Sequence, residues 1–470
     1  MSKFQKNFTE GSVVKQIITF SIPFLFSNLL QALYSVVDMI VVGQYMGPVG
    51  VSGVQIGGQV TTLVTNIVAG FGVGATVLVA QYQGAEKFED QKQTISTLFT
   101  FFVFVSIGMT VVMSVLNTPI LKLLGTDDLA FKEAYNYLLC CSFGYIFIFG
   151  YNAVSGILRG MGDSKRPLCF VAIATVTNII LDIIFVKNLG LRSLGAALAT
   201  VIAQATSFIL SVIYLKRSDF VFDFKIKSFR INKEKLKLIF KIGLPSAVQF
   251  SITGTSFLAL TGVSNALAGT VGTTLLGIGQ KLNTFGILPC IAISSSISSM
   301  VGQNVGAGKY DRAKKIMWVG FGFAIALSVI VFAIVNIFPD QIMSVFLNKN
   351  SLSGEGLKLY DECMSIGSKY IAFCSFDYLF ASAFFCTNGL ATGSGHTTFS
   401  LVNSAINAVL FRIPLAYIFS MSWGFNMGTL GVAIAIGFAP VISAIIGIIY
   451  VQSDKWKKSK LNISEVSQSA

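Results

Sequence analysis

The sequence predicts an all-α polytopic membrane protein, with twelve transmembrane helices in two pseudo-symmetric six-helix bundles. Three observations carry that prediction. The 470 residues have a mean hydropathy of +0.73 and only 12% are charged, far from a soluble composition. Charge is absent from residues 39–85, 242–280, 282–308 and 413–453, and each run can hold one or two spans of about 20 apolar residues. Finally, VAQYQGAEKF at 79–88 returns as VGQNVGAGKY at 301–310.

The apolar segments fall near 15–41, 50–80, 94–118, 134–158, 167–186, 193–215, 238–265, 272–300, 316–338, 366–390, 398–419 and 427–451. At bilayer depth the backbone must satisfy its hydrogen bonds within the segment, so these are helices and not long buried strands. The first segment runs on into MIVVG without a small-residue cleavage pattern and reads as a retained span. An even number of spans puts both termini on one side, and basic residues choose which. That side carries Lys3, Lys6 and Lys15, then Lys87 and Lys92, then Arg159, Lys165 and Arg166. It continues with a dense run from Lys216 to Lys241, with Lys309, Arg312, Lys314 and Lys315, and with Lys455, Lys457, Lys458 and Lys460. The other side has Lys122, Lys132, Lys187, Arg192, Lys349, Lys358 and Lys369. This bias predicts cytoplasmic termini. It also accounts for the net charge of +13 through topology, so no nucleic-acid partner is expected. Seven scattered cysteines with no CxxC pair read as small buried apolar side chains. The single His396, in TGSGHTT, cannot supply a His-rich metal site and reads as a surface or turn residue.

The repeat offset is 222 residues. It holds without a gap back to Pro23 and Pro245, through Gly47 and Gly269, Gly50 and Gly272, and Gly57 and Gly279. The chain therefore divides into an N-lobe (1–215), a linker (216–237), a C-lobe (238–452) and a tail (453–470). Six spans per half give both halves the same orientation, related about an axis along the membrane normal. Two such bundles face each other across a cleft whose two openings can alternate, which favours a carrier over a channel. RGMGDSKRP at 159–167 has phosphate-loop glycines, but no strand precedes it and no Lys-Ser/Thr ending follows. It reads as the turn between spans four and five, with NGLATGSGHTT as its counterpart. With no nucleotide or redox motif the expectation is a non-enzyme without cofactor, driven by a proton or sodium gradient.

Four ionisable residues sit deep in spans: Asp38, Asp182, Asp377 and Arg412. Such groups are costly in lipid and normally face a bundle interior or a wet cavity. Asn178 precedes Asp182 by four residues, so the two share a helix face. Together they can ligate a hard cation, or the amide can hold a protonated carboxyl. Asp38 lies in the first helix of the same half, and a carboxylate pair in an apolar cavity readily shares a proton. Asp377, in CSFDYLF, is either an independent cation or substrate contact or a helix-packing residue. Arg412, in LFRIPL, either pairs with a carboxylate or snorkels to the outer interface, and Lys281, near the outer start of its span, does the same. Asn28, Gln31 and Tyr34 on helix one and Asn403 and Asn407 on helix eleven are candidate cavity groups, equally explained by helix–helix hydrogen bonds.

In order and spacing, IPFLFSNLLQALYSVVDMIVVG, QYQGA, RGMGDSKRP and NIILD followed by LGAALAT resemble the multidrug and toxic compound extrusion (MATE) family. The resemblance covers about residues 12–452 and is nearest to the DinF-like and MepA-like bacterial members. It implies antiport in a bacterial cytoplasmic membrane. Inward proton or sodium flow would drive export of bulky, often cationic organic compounds or other amphipathic molecules through a V-shaped cleft. It also implies an N-lobe ion site, made by an Asp in helix one, an Asn and an Asp one turn apart in helix five, and a Thr in helix six. Those positions are Asp38, Asn178, Asp182 and Thr200, which would be the sodium ligands if sodium is the ion. The NorM-like branch has a Glu in helix seven, but QFSITGTSFLAL carries no acid, so Asp377 lacks that partner. One chain supplies both lobes, so a monomer in contact with membrane lipids is expected. A second reading is a lipid-linked oligosaccharide flippase of the same superfamily, for which only Arg412 offers a cavity cation. A third, a non-transporting receptor or scaffold, predicts no ion-coupled flux.

Overall fold

The computed structural model describes residues 6–218, 220–347 and 355–458; Lys3, Lys349, Lys460 and the end of the tail, 459–470, lie outside them. Among the described residues the spans are α1 (Val13–Gly47), α2 (Val49–Gly84), α3 (Phe88–Leu123) and a bent α4, with arms Asp128–Phe143 and Tyr145–Gly160 meeting at 54°. They continue with α5 (Lys165–Asn188) and α6 (Arg192–Lys216). A continuous helical run, Lys233–Gly306, follows. Its 74 residues would extend roughly 110 Å at 1.5 Å per residue, several times a bilayer core. It is broken at Ala268 (φ −144°) and Gly269 (φ 49°), which makes it two spans, α7 (233–267) and α8 (270–306). After α9 (Tyr310–Ile337) and a short helix, Pro339–Phe346, come α10 (Leu357–Gly393), α11 (Thr397–Ser420) and α12 (Thr429–Gln452).

The repeat is visible in the backbone. Gly47 (φ 66°) separates α1 from α2 as Gly269 separates α7 from α8. The turn after α2 passes through Glu86 at φ 58°, and the turn after α8 through Gly308 at φ 72°, again 222 residues apart. A side chain at Glu86 thus sits in a backbone region that favours glycine.

The two halves exchange their starting segments. Val13, Ile17 and Phe20 of α1, with Phe8 before it, pack among Ile293, Ile297 and Met300 of α8. Reciprocally, Ile239 and Ile242 of α7 join the core of Phe71, Leu78 and Ile95 in the first half. Where α2 and α8 end, their backbones cross without room for a side chain. A Cβ on Gly84 would lie 1.8 Å from the Gln303 carbonyl oxygen, and one on Gly306 would lie 2.0 Å from that of Gln81. Small residues are how helices approach this closely in a bilayer.

The segment after α6 is less a free tether than its charge suggests. Phe222, Phe224 and Phe229 pack around Phe99 of α3, and Ser96 Oγ donates to the Ser228 carbonyl at 2.6 Å. Lys235 is buried, donating to Asp90 at 2.5 Å and to the Tyr82 hydroxyl at 2.9 Å. The cysteines are unpaired and mostly buried, with Cys169 exposed. RGMGDSKRP forms the turn between α4 and α5, held by the Asp163 carboxylate capping Lys165 and Arg166. His396 does sit in a turn, but it is buried rather than at the surface, beside Ser394 and Tyr450.

Glu86→Gly should stabilise the protein by up to ~1 kcal/mol, because the left-handed turn then costs no Cβ clash. Gly308→Ala should destabilise it by a similar amount. Thermal unfolding of the two variants in detergent, moving in opposite directions from wild type, is the check.

Candidate functional site

Four helices bring polar side chains together inside the first half. α1 supplies Tyr34 and Asp38, one turn apart; α5 supplies Asn178 and Asp182, also one turn apart; α6 supplies Thr200. The first arm of α4 adds Tyr137. Asp182 is fully buried, and Asp38, Asn178 and Thr200 are buried too. Asp182 also closes the regular part of α5, since Ile183–Asn188 widens into a π-helix. Such a widening re-aims the residues that flank it and often marks a functional position.

The carboxyls of Asp38 and Asp182 lie near enough to influence each other directly, and a single proton can be shared between them. The Oδ1 atoms of both are buried without a partner. With its amide oriented to satisfy both neighbours, Asn178 donates to Asp182 Oδ2 at 3.0 Å and accepts from the Thr200 backbone N–H at 3.3 Å. The Tyr34 hydroxyl lies 3.1 Å from Thr200 Oγ1, and Tyr137 is close by. Thr200 therefore links α1, α5 and α6. The cluster offers carboxylate, amide and hydroxyl oxygens, which suit a hard cation, and a carboxyl pair able to share a proton.

Tyr137 escaped the sequence reading. Its one signal is position: it follows Glu133 by one turn. Glu133 binds the start of α6 through Arg192 Nε at 2.6 Å and Ser193 Oγ at 2.6 Å. Glu133 thus ties the first arm of α4 to α6, and Tyr137 lies one turn further along, packed also against Gly57 of α2.

The remaining candidates are dispersed. Asp377 of α10 is buried in the second half, near Asn283 of α8 and influenced by the charge of Arg412 on α11. Arg412 is buried, donates to Ser256 Oγ at 3.1 Å and stacks over Phe257 at 4.6 Å. Among the described residues Arg412 forms no salt bridge, and Ser256 and Phe257 are the contacts that hold it. Asn403 is tied to Asn388 Oδ1 and to the Ser443 carbonyl, both at 3.2 Å, so it serves helix packing. Asn407 is buried with its Oδ1 unpartnered. On α1, Asn28 is half-buried and Gln31 is exposed. A cavity of about 540 Å³ opens between α1 and α2, lined by Gly43, Gly47, Val51, Ser52, Gln55 and Gln59.

Twelve spans in two like-oriented halves, with carboxyls buried inside a bundle, are the architecture of a multi-pass membrane transporter. The MatE family model matches residues 23–184 and 245–418, two blocks that begin 222 residues apart, and the chain belongs to that family, the multidrug and toxic compound extrusion transporters. It is similar to the probable multidrug resistance protein YpnP of Bacillus subtilis, 26% identical over 97% of this chain and 98% of that one. It is also similar to the multidrug export protein MepA of Staphylococcus aureus, 25% identical over 69% of this chain and 72% of that one. In fold it matches an outward-facing multidrug resistance MATE family transporter of the MOP superfamily with a TM-score of 0.87 and 23% identity, over 95% of this chain and 96% of that one. A MOP superfamily transporter from Pyrococcus furiosus matches with a TM-score of 0.88 and 23% identity, over 96% and 98% of the two chains. These are transporters of small molecules and not enzymes.

Thr200→Ala leaves the Tyr34 hydroxyl without its partner. Leaving a buried polar group unsatisfied costs about 1–3 kcal/mol. Thr200→Ser should recover most of that loss. Thermal unfolding of the two variants in detergent tests the assignment, and equal melting of Thr200→Ala and wild type would refute it.

Proposed function

We propose that this protein is a cation-coupled antiporter, a monomer of a bacterial cytoplasmic membrane with both termini cytoplasmic. It exports structurally diverse organic compounds, often cationic, by alternating access, with Asp38, Asn178, Asp182 and Thr200 as the coupling site. The observation that carries this reading is electrostatic. Asp38 and Asp182 share a buried contact between α1 and α5, and among the described residues neither forms a salt bridge. Charge on that pair must be balanced by something that arrives and leaves, a proton or a sodium ion. Asp377, by contrast, has Arg412 as its neighbour.

The steps follow from that balance. The basic side, where α2 and α8 cross, is closed in this structure, so the cleft addresses the opposite side, which the charge bias makes extracellular. An external cation reaching Asp38 and Asp182 neutralises the pair and lowers the cost of repacking α1 against α5 and α6. Substrate loses its place in the cavity and leaves outward. The empty carrier turns inward, releases the ion to the cytoplasm and takes up new substrate. Ion and substrate must prefer different states for this cycle to run, because a ligand with equal affinity for both shifts nothing. Membrane lipids surround the spans throughout.

Reconstituted in liposomes, the protein should move a fluorescent organic cation under an imposed proton or sodium gradient, and whichever gradient drives it names the ion. Asp182→Asn and Asp38→Asn should each lower the gradient-driven rate at least about tenfold, since each removes a carboxylate from the pair we place at the coupling site. Unchanged flux in both variants would remove the coupling site while leaving the transporter.

A further inference from the structure

The 222-residue repeat allows the two walls of the cleft to be compared position by position. On α2, Gln55, Gln59, Thr62 and Leu63 are all exposed, and their spacing puts them on one helix face. Gln55 and Gln59 line the cavity beside Gly43 and Gly47, so this face borders open space and not a packed helix. On α8 the corresponding residues are Gly277, Lys281, Thr284 and Phe285, and all four are exposed as well. Above Lys281, Gly277 leaves open space: a Cβ there would meet nothing within 4 Å. Below it, Phe285 is 40% exposed.

Lys281 lies twelve residues beyond the break at Gly269, roughly 18 Å along α8 at 1.5 Å per residue. That is well inside the span rather than at its outer start. A lysine facing hydrocarbon at such a position would be costly. On the cleft face it is solvated and free to act. It makes no ion pair or hydrogen bond among the described residues. The first-half wall has glutamine where the second has lysine, and its deep ionisable groups are the carboxyls Asp38 and Asp182.

We propose that Lys281 is a substrate-recognition residue that binds the anionic group of amphiphilic substrates, so that the cleft favours zwitterions over simple organic cations. This rests on the antiport reading above. Opposite walls of unlike charge orient such a molecule: its anionic end meets Lys281, its cationic end faces the acidic half, and Phe285 supplies apolar contact one turn away. A purely cationic compound of the same shape meets Lys281 as a like charge.

The test uses a matched pair of probes, a xanthylium dye bearing a free benzoate and the same dye as its ethyl ester, in phosphatidylcholine liposomes under the driving gradient. Wild type should take up the free acid with a KM about tenfold below that of the ester, the factor a single well-placed charge contact supplies. Lys281→Gln, which copies the first-half residue, should equalise the two KM values with kcat retained. Lys281→Glu should invert the preference, and Lys281→Arg should preserve it. Equal KM values in wild type, or a preference that survives Lys281→Glu, overturn the assignment while leaving antiport intact. If neither dye moves under either gradient, antiport itself fails and the assignment with it. Adding phosphatidylglycerol separates the two sources of an anionic group. If the lipid abolishes the dye preference, Lys281 binds headgroups and the substrate assignment falls; an undiminished preference supports it.

Discussion

The absence of a side chain at Gly84 and Gly306 is the constraint on which the rest of this structure depends. At both positions the partner helix's backbone carbonyl occupies the space a methyl group would need. The close crossing lets the residues around it reach the opposite half. Gln81 Nε2 donates to the Gly393 carbonyl at 2.9 Å, and Gln303 Nε2 donates to the Gly160 carbonyl at 3.3 Å. The two glutamines are repeat partners, and each accepting glycine ends the fourth span of its own half. Each of those glycines in turn packs tightly on its own half: a Cβ on Gly160 would lie 2.6 Å from the Thr76 carbonyl, and one on Gly393 would lie 2.4 Å from that of Ser298. The seal is therefore made twice by the same chemistry, and it consists of backbone acceptors and neutral donors. Neither glutamine carries charge, so these two contacts can part without exposing an unpaired ion.

The N-terminal arm adds an unsymmetrical element to this seal. The Phe8 backbone N–H donates to Gln303 Oε1 at 3.0 Å, and its carbonyl accepts from Asn304 Nδ2 at 3.1 Å and Arg312 Nε at 3.0 Å. The Lys6 backbone N–H donates to the Met161 carbonyl at 3.0 Å, in the first half. One extended segment thus bonds to both halves across the closed end. The arm has no counterpart in the second half, where the equivalent stretch is the phenylalanine-rich segment docked on α3.

What was legible in the sequence follows from which forces leave a linear trace. Charge-free runs, the basic bias and the 222-residue offset are properties of consecutive residues, and the spans and the family follow from them. Asp38 and Asp182 were legible because an acid in an apolar helix is rare, and Asn178 because it lies one turn away. Tyr137 was not, because a tyrosine in a span is ordinary and its neighbour Thr200 is distant in the chain. Lys235 read as one more solvated base in a basic segment, yet it is buried between Asp90 and Tyr82, contacts that exist only once α7 crosses to the first half. His396 read as exposed because it lies in a glycine-rich turn, but the α12 residue Tyr450 covers it. Linear patterns reveal spans and isolated anomalies. They do not reveal which surface a neighbouring helix will cover.

The placement of α1 explains why a neutralisation event at Asp38 is well suited to move the whole carrier. The start of α1 belongs to the other half: Val13, Ile17 and Phe20 are built into the core around Ile293 and Met300. Further along, Asp38 lies beside Asp182 and Tyr34 is bonded to Thr200, so the second part of the same helix belongs to its own half. Between these attachments lies Pro23, which contributes no backbone N–H and so leaves a gap in the helical ladder at the carbonyl four residues earlier. The Pro23 carbonyl also accepts from Ser27 Oγ at 2.9 Å. A helix anchored in one half, held by a carboxyl contact in the other and softened between the two is a mechanical link whose load depends on charge. Under the proposed coupling, a change of charge on the Asp38–Asp182 pair would act on an element already fixed in the opposite bundle, and no separate relay across the cleft would be required. In the second half the buried acid, Asp377, stands on α10 rather than on α7, with the charge of Arg412 nearby, so a change there would not act on the exchanged helix.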